Sequence, residues 1–167
     1  MIHVTRTYLG MESRDQLKAA PAPAGALSLT LEHPCDTALY RVLYDLVGRG
    51  YHWVDRHRWS DAQLRQYLDA PGIAIWVLRD GNALGGFFEL VRHADGSTEI
   101  AYFGLAPTMI GRGAGKWLLT RAIEEAWRLQ PSRVWLHTCT LDHPSALPNY
   151  IARGFEPYRT ESYDTAD

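Results

Sequence analysis

Glu99-Ile-Ala-Tyr-Phe-Gly-Leu-Ala-Pro-Thr-Met-Ile-Gly-Arg-Gly-Ala-Gly-Lys116 decides the reading of this chain. Ile100, Tyr102 and Phe103-Gly-Leu105 have the composition of a buried strand. Pro107 ends it, because proline has no N–H to give to a ladder. Gly111, Gly113 and Gly115 then let the backbone turn with its N–H groups pointing inward. A helical pattern opens near Gly113 and adds the positive end of a helix dipole. Strand, glycine loop and helix together predict a cradle for a phosphate-bearing ligand.

Two common cradles are excluded. A P-loop needs Gly-Lys followed by Ser or Thr to hold magnesium, and here Gly115-Lys116 is followed by Trp117. A dinucleotide fingerprint needs Gly-x-Gly-x-x-Gly and an acid about 20 residues on, at the end of the next strand. The spacing here differs, and the next strand ends in His137-Thr138.

Outward from this stretch the pattern is regular. Ile73 to Leu78 and Leu84 to Val91 are strands joined at Asp80-Gly81-Asn82, and Asp95-Gly96 turns the chain into the Glu99–Leu105 strand. The helix after the glycine loop runs to about Leu129. Ser132 to Thr138 is the next strand, Ser145 to Arg153 a helix stopped by Gly154, and Phe155 to Tyr163 a last strand. Upstream, Asp36 to Val47 is helical, with Leu39, Val42, Leu43 and Leu46 as its apolar face and Gly48 as its stop. Ser60-Asp-Ala-Gln63 is a capping box, with Trp59 and Leu64 placed as a hydrophobic staple. A strand at about His3 to Leu9 is linked onward by the loop Ala19-Ala-Pro-Ala-Pro-Ala-Gly25. Three antiparallel strands followed by a helical crossover to a parallel strand predict a mixed α/β (α+β) domain.

The chain has 167 residues and a net charge of −2, which predicts one domain over 1–167 and no nucleic-acid partner. No apolar run reaches membrane-spanning length, so no membrane partner is expected. Cys35 and Cys139 are the only cysteines, and Met1-Ile-His-Val-Thr-Arg-Thr7 has no signal-peptide core. A reduced, cytoplasmic location is expected.

The glycine stretch resembles the GNAT superfamily of acyl-CoA N-acyltransferases. Its signature, Gln/Arg-x-x-Gly-x-Gly/Ala, falls on Ile110-Gly-Arg-Gly-Ala-Gly115, with Ile110 in place of Gln or Arg. A second family pattern, Asn-x-x-Ala-x-x-x-Tyr-x-x-x-Gly-Phe, falls on His143 to Phe155. Ala146, Tyr150 and Gly154-Phe155 match it, and His143 stands where Asn is usual. The likeness covers roughly residues 73 to 160 by pattern. It implies a mostly antiparallel mixed sheet of about six to seven strands flanked by about four helices. It also implies an acetyl-CoA-dependent N-acetyltransferase that acts on a small-molecule or peptide amine, with a homodimer left open.

The resemblance implies roles for particular residues. The backbone of Leu105 or Ala106 would hydrogen-bond the thioester carbonyl. The loop Ile110, Gly111, Arg112, Gly113, Ala114, Gly115 and Lys116 would hold the pyrophosphate. His143 would touch the cofactor, and Tyr150 would protonate the leaving thiolate. Glu99 is the candidate base: an even spacing of six puts it on the same nominal face as Leu105. Glu89, within Phe87-Phe-Glu-Leu90, is its rival and a candidate acceptor contact. Trp53 and Arg56, with Arg58, are candidates for the acceptor wall, where an arginine would select an amine bearing a carboxylate. His137 is placed at the acceptor mouth. No metal site is expected, although His137, Cys139, Asp142 and His143 lie close in sequence. Two other readings of the fold remain, a non-catalytic acyl-CoA sensor and a protein-interaction module.

Overall fold

A computed structural model describes residues 1–166. Seven strands form one sheet in the order β2-β3-β4-β5-β6-β1-β7. They are β1 (Ile2–Met11), β2 (Leu27–Glu32), β3 (Ile73–Asp80), β4 (Ala83–Arg92), β5 (Thr98–Leu105), β6 (Val134–Cys139) and β7 (Glu156–Thr165). Four helices, α1 (Thr37–Gly48), α2 (Asp61–Asp69), α3 (Ala114–Arg128) and α4 (Ala146–Ala152), flank it. Only β5 and β6 run parallel, as the crossover through α3 requires, and the other pairs are antiparallel.

The sheet buries both faces where α1 and α2 lie opposite α3. On β3, Ile73, Ile75 and Val77 pack with α1 and α2, and Leu78 joins the α3 core. On β4, Phe87 goes to the first core, and Phe88 and Leu90 to the second. This two-residue alternation explains why both strands read as almost continuous apolar runs. The α1 face differs from the periodicity reading. Tyr40, Leu43, Tyr44 and Val47 are buried, whereas Val42 is 53% exposed. The large tyrosine rings bury more area than leucines at the neighbouring positions, and they turn the helix by about one residue. The capping box at Ser60 and Gln63 forms as expected, and Trp59 and Leu64 meet in the α1–α2 core.

The place of the first strand is not written in its sequence. β1 lies between β6 and β7, so the amino-terminal strand completes the carboxy-terminal half of the sheet. The proline-rich loop must then return across the α3–α4 side to reach β2 at the far edge. On the way the Lys18 N–H donates to the Arg153 carbonyl (2.9 Å) and the Ala20 N–H to Thr120 Oγ1 (3.0 Å). Gly154 permits this passage: its φ is +113°, and a Cβ there would sit 2.0 Å from the Gln16 carbonyl. Among the described residues no helix is long and apolar enough to cross a membrane.

Candidate active site

β5 and β6 pair only at Thr98–Val134 and Glu99–Trp135, then part. The cause lies on the other side of β5. Leu90 pairs with Ile100 but Glu89 pairs with Tyr102, so Ala101 is an extra residue. A bulge of this kind bends its strand and increases local twist. Beyond it β5 swings away from β6 and opens a cleft of about 1290 Å³, with Glu99 at its base and Leu105 at its tip. The bulge also changes a face assignment. Glu99 and Leu105 do not share a face: Leu105 packs with the α3 core, and Glu99 stands on the opposite side beside His93 and His137.

The backbone at the tip is directional. The Ala106 N–H is used by the Gly85 carbonyl at 2.8 Å, so it is not available to a ligand. Successive N–H groups of a strand point to opposite edges, and that of Leu105 therefore points into the gap. The loop that follows has the left-handed backbone its glycines allow, with φ of +83° at Gly111 and +77° at Gly113. No atom lies within 4 Å of where a Cβ would stand at either position. Gly113 caps α3 without a side-chain bond, and no acid occupies the first turn, so the helix presents its N–H groups unneutralised. Lys116 is exposed, and its ammonium has no partner among the described residues. Ile110 lines the cleft, but Arg112 does not: its guanidinium turns to Asp80, at 3.2 and 3.3 Å. The Ala114 side chain is wholly buried.

Tyr150 forms the wall opposite Leu105. Its ring packs edge-on against Phe103 and Phe155, and its hydroxyl has no partner among the described residues. Burial, with a smaller contribution from Asp142, raises the phenol pKa, so it stays protonated and can donate. Glu99 accepts from His93 Nε2 at 2.9 Å and lies 3.9 Å from His137 Nε2. Burial lowers the His137 pKa, and the Arg6 charge lowers it further. His143 lines the cleft too. Its Nδ1 accepts from the Ser145 N–H at 3.0 Å, and its ring faces Tyr51 across the opening. Among the described residues no three His, Cys, Asp or Glu side chains are grouped to hold a metal ion.

Glu89 is a correction. It is 0% exposed and does not reach the cleft. Its carboxylate accepts from Tyr40 at 2.6 Å, from Tyr67, and from Arg56 at 3.1 Å. The pleat points it into the α1–α2 core, where only a full set of donors makes a carboxylate tolerable. Arg56 is changed by the same cluster. Its guanidinium lies 4.0 Å from the Trp59 ring centroid and 4.6 Å from that of Tyr67. Burial opposes its charge, but Glu89 and the tyrosines outweigh that and hold its pKa up. Arg56 therefore forms part of the cleft wall with its charge already matched. Trp53 stands beside it, edge-on to Tyr102 and Phe87, over Gly48, where a Cβ would be 2.5 Å from the indole. Arg58 is exposed, lines the cleft and has no partner among the described residues.

A family model described as acetyltransferase (GNAT) family matches residues 40–155. The chain belongs to the GNAT acetyltransferase family. No curated protein sequence matches it. Solved structures share the GNAT fold at low identity. A GCN5-related N-acetyltransferase from Kribbella flavida is 18% identical with a TM-score of 0.67, over 95% of this chain and 56% of that one. A tandem GNAT protein from the clavulanic acid biosynthesis pathway is 19% identical with a TM-score of 0.61, over 99% and 55%. An aminoglycoside acetyltransferase from an uncultured soil metagenomic sample is 15% identical with a TM-score of 0.63, over 77% and 87%. The chain thus spans little more than half the length of the first two.

Several lining residues have no counterpart in the sequence reading: Arg6, His93, Asn149 and Arg153. Arg6 gives no local signal, since the position of β1 brings it to the cleft. Asn149 and Arg153 carried one. They lie four residues apart on either side of the matched tyrosine, Asn149 within α4 and Arg153 capping its end, and so point to one side.

Proposed function

We propose that this GNAT chain moves an acetyl group from acetyl-CoA to a primary amine of a small molecule or peptide by direct attack. The observation that carries the reading is the pairing of an unpartnered, protonated Tyr150 hydroxyl with the Glu99 carboxylate in one cleft, where β5 and β6 part. The residues present fit the cofactor. The open left-handed glycines, the uncapped start of α3 and the unpaired Lys116 suit a pyrophosphate.

Bound acetyl-CoA supplies the acetyl thioester. The Leu105 N–H donates to the thioester carbonyl oxygen, and this bond strengthens as negative charge grows there. Glu99 takes the proton that the ammonium must lose before its nitrogen can attack, with His93 holding the other end of the carboxylate. As the N–C bond forms and the C–S bond breaks, Tyr150 O–H gives its proton to sulfur. The second proton released from nitrogen restores the phenol. His137, Trp53 and Arg58 surround the acceptor, and the uncompensated charge of Arg58 favours an amine that also carries a carboxylate. The free thiols of Cys35 and Cys139 suit a reducing cytoplasm.

Calorimetric titration with acetyl-CoA, with NAD and ATP as controls, followed by a thiol-release screen over amines, tests the reading. Selective micromolar binding with turnover supports it. Binding without turnover on any amine leaves an acyl-CoA sensor, and no binding removes the cofactor assignment.

A further inference from the structure

On the acceptor side of the cleft, one cation has a buried donor that nothing accepts. Arg6 reaches the cleft from β1, and its Nε is buried without a hydrogen-bond partner. Folded proteins seldom keep such a donor unmade, so this one requires an explanation. The guanidinium has two edges. At its end, Nη1 donates to Glu161 Oε1 at 3.2 Å. On the side edge, formed by Nε and Nη2, the single partner among the described residues is the Tyr163 hydroxyl, 3.4 Å from Nη2. That edge is a planar fork that matches the two oxygens of a carboxylate. It faces Tyr163, which also lines the cleft and whose ring centroid lies 5.0 Å from Cζ.

The charge around Arg6 is not cancelled. Glu161 also accepts from Arg159 Nη2 at 3.0 Å and from the Tyr8 hydroxyl at 2.9 Å, so two guanidinium groups share one carboxylate. Of the other acids lining the cleft, Asp142 is engaged by the Thr138 hydroxyl and the Cys139 N–H, and Asp55 comes from the α1–α2 connection. Tyr8 packs against His137, with ring centroids 5.5 Å apart, and His137 Nε2 lies 3.9 Å from Glu99 Oε2. Arg6 and Glu99 therefore stand at the two ends of one row of side chains.

We infer that Arg6 sets acceptor specificity, and that the acceptor carries its amine and a carboxylate at opposite ends of a chain. The amine meets Glu99. The carboxylate takes the Nε–Nη2 edge of Arg6 and displaces the long Tyr163 bond. The separation follows from register. His137, beside Glu99, pairs with Tyr8, and Arg6 lies one two-residue repeat further along β1, about 7 Å away. The guanidinium leans further still, toward Tyr163, which pairs beyond it opposite Val4. An α-amine and its own carboxylate are too close together to use both anchors well. An ω-amino acid, or a lysine-like side chain with its carboxylate, spans them. The inference rests on the acetyl-transfer reading above.

The test uses the full chain and two readouts, thiol release with acetyl-CoA and calorimetric titration of the CoA-loaded protein. The probes are glycine, 4-aminobutanoate and 6-aminohexanoate, each beside its carboxamide, which keeps the amine and removes the charge. Wild type is expected to prefer 6-aminohexanoate over its amide by about ten- to a hundredfold in kcat/KM and in Kd, the scale of a charge-assisted pair. Glycine should be the poorest of the acids. Arg6→Gln should bring the acid-to-amide ratio close to one by raising KM for the acid. Its Kd for acetyl-CoA and its melting point should stay near wild type, because Glu161 keeps Arg159 and Tyr8. Arg6→Lys keeps a charge beside Glu161 but has no fork, so its ratio should fall about fivefold or more. A ratio near one in wild type, or equal losses for acid and amide in Arg6→Gln, would make Arg6 a tie to Glu161 and overturn the inference. A full ratio in Arg6→Lys would overturn the edge assignment, and glycine as the best acid would overturn the spacing. If wild type bound no acetyl-CoA, the transfer reading would fall, and the inference with it. Acetyl-CoA binding without any preference for acids sinks the Arg6 assignment alone.

Discussion

Two glutamates ten residues apart, on adjacent strands, have opposite surroundings. Glu89 is sealed in the α1–α2 core with Tyr40, Tyr67 and Arg56 as donors. Glu99 stands at the base of the β5–β6 cleft, with one oxygen held by His93 and the other facing His137. Each is a carboxylate within a strand, and residue type alone does not separate the two. The difference is donor supply. A carboxylate whose acceptor sites are all filled is a structural tie, and one with a site still facing a cleft can take a proton.

Mutation separates the two roles. Arg56→Met leaves the Glu89 charge buried without its cation. It is expected to cost about 3–5 kcal/mol, visible as a large drop in the urea midpoint. Glu99→Gln should leave the unfolding free energy within about 0.5 kcal/mol of wild type. Its turnover should fall about 10²–10⁴-fold, measured by thiol release. If both variants lost stability alike, the contrast would collapse. Tyr150→Phe should lower turnover on the same scale while the Kd for CoA stays near wild type, and an unchanged rate would remove its role as acid.

A smaller effect is expected at the loop. Gly113→Val forces a β-branched residue to φ of +77°, which costs about 1–2 kcal/mol and should weaken CoA binding. Unchanged affinity would detach the loop from the cofactor. The smallest effect concerns His137. Its pKa is lowered in the folded protein, mainly by burial, so between that value and the ordinary value of about 6.5 the native state binds fewer protons than the unfolded chain. Its stabilising contribution is complete above pH about 6.5 and is lost as the pH falls through the lowered value. His137→Gln should therefore flatten the acid side of a stability–pH curve. A curve identical to wild type would show that His137 keeps its ordinary titration.

Much of the site was legible because its signals are local. The backbone freedom of Gly111 and Gly113, the stop at Pro107 and the spacing from Ala146 through Tyr150 to Gly154 are properties of short segments. The Ser60 capping box and its staple were equally local. The failures were of another kind. The same-face reading of Glu99 and Leu105 assumed an unbroken two-residue period, and the Ala101 bulge inserts one residue into it. Arg56 was read as a free cation because its counter-charge, Glu89, lies 33 residues away.

The sequence by itself determined the order of the four helices and of every strand but β2 (Leu27–Glu32), together with the glycine loop and the tyrosine helix, since each is set by torsional preference and short-range periodicity. Only the tertiary structure decided that β1 enters between β6 and β7, that Glu89 is closed and Glu99 open, and that Arg6 lines the cleft. Those outcomes depend on which groups meet across long stretches of chain. Hydrogen-bond donors and counter-charges can be counted only after the chain has packed.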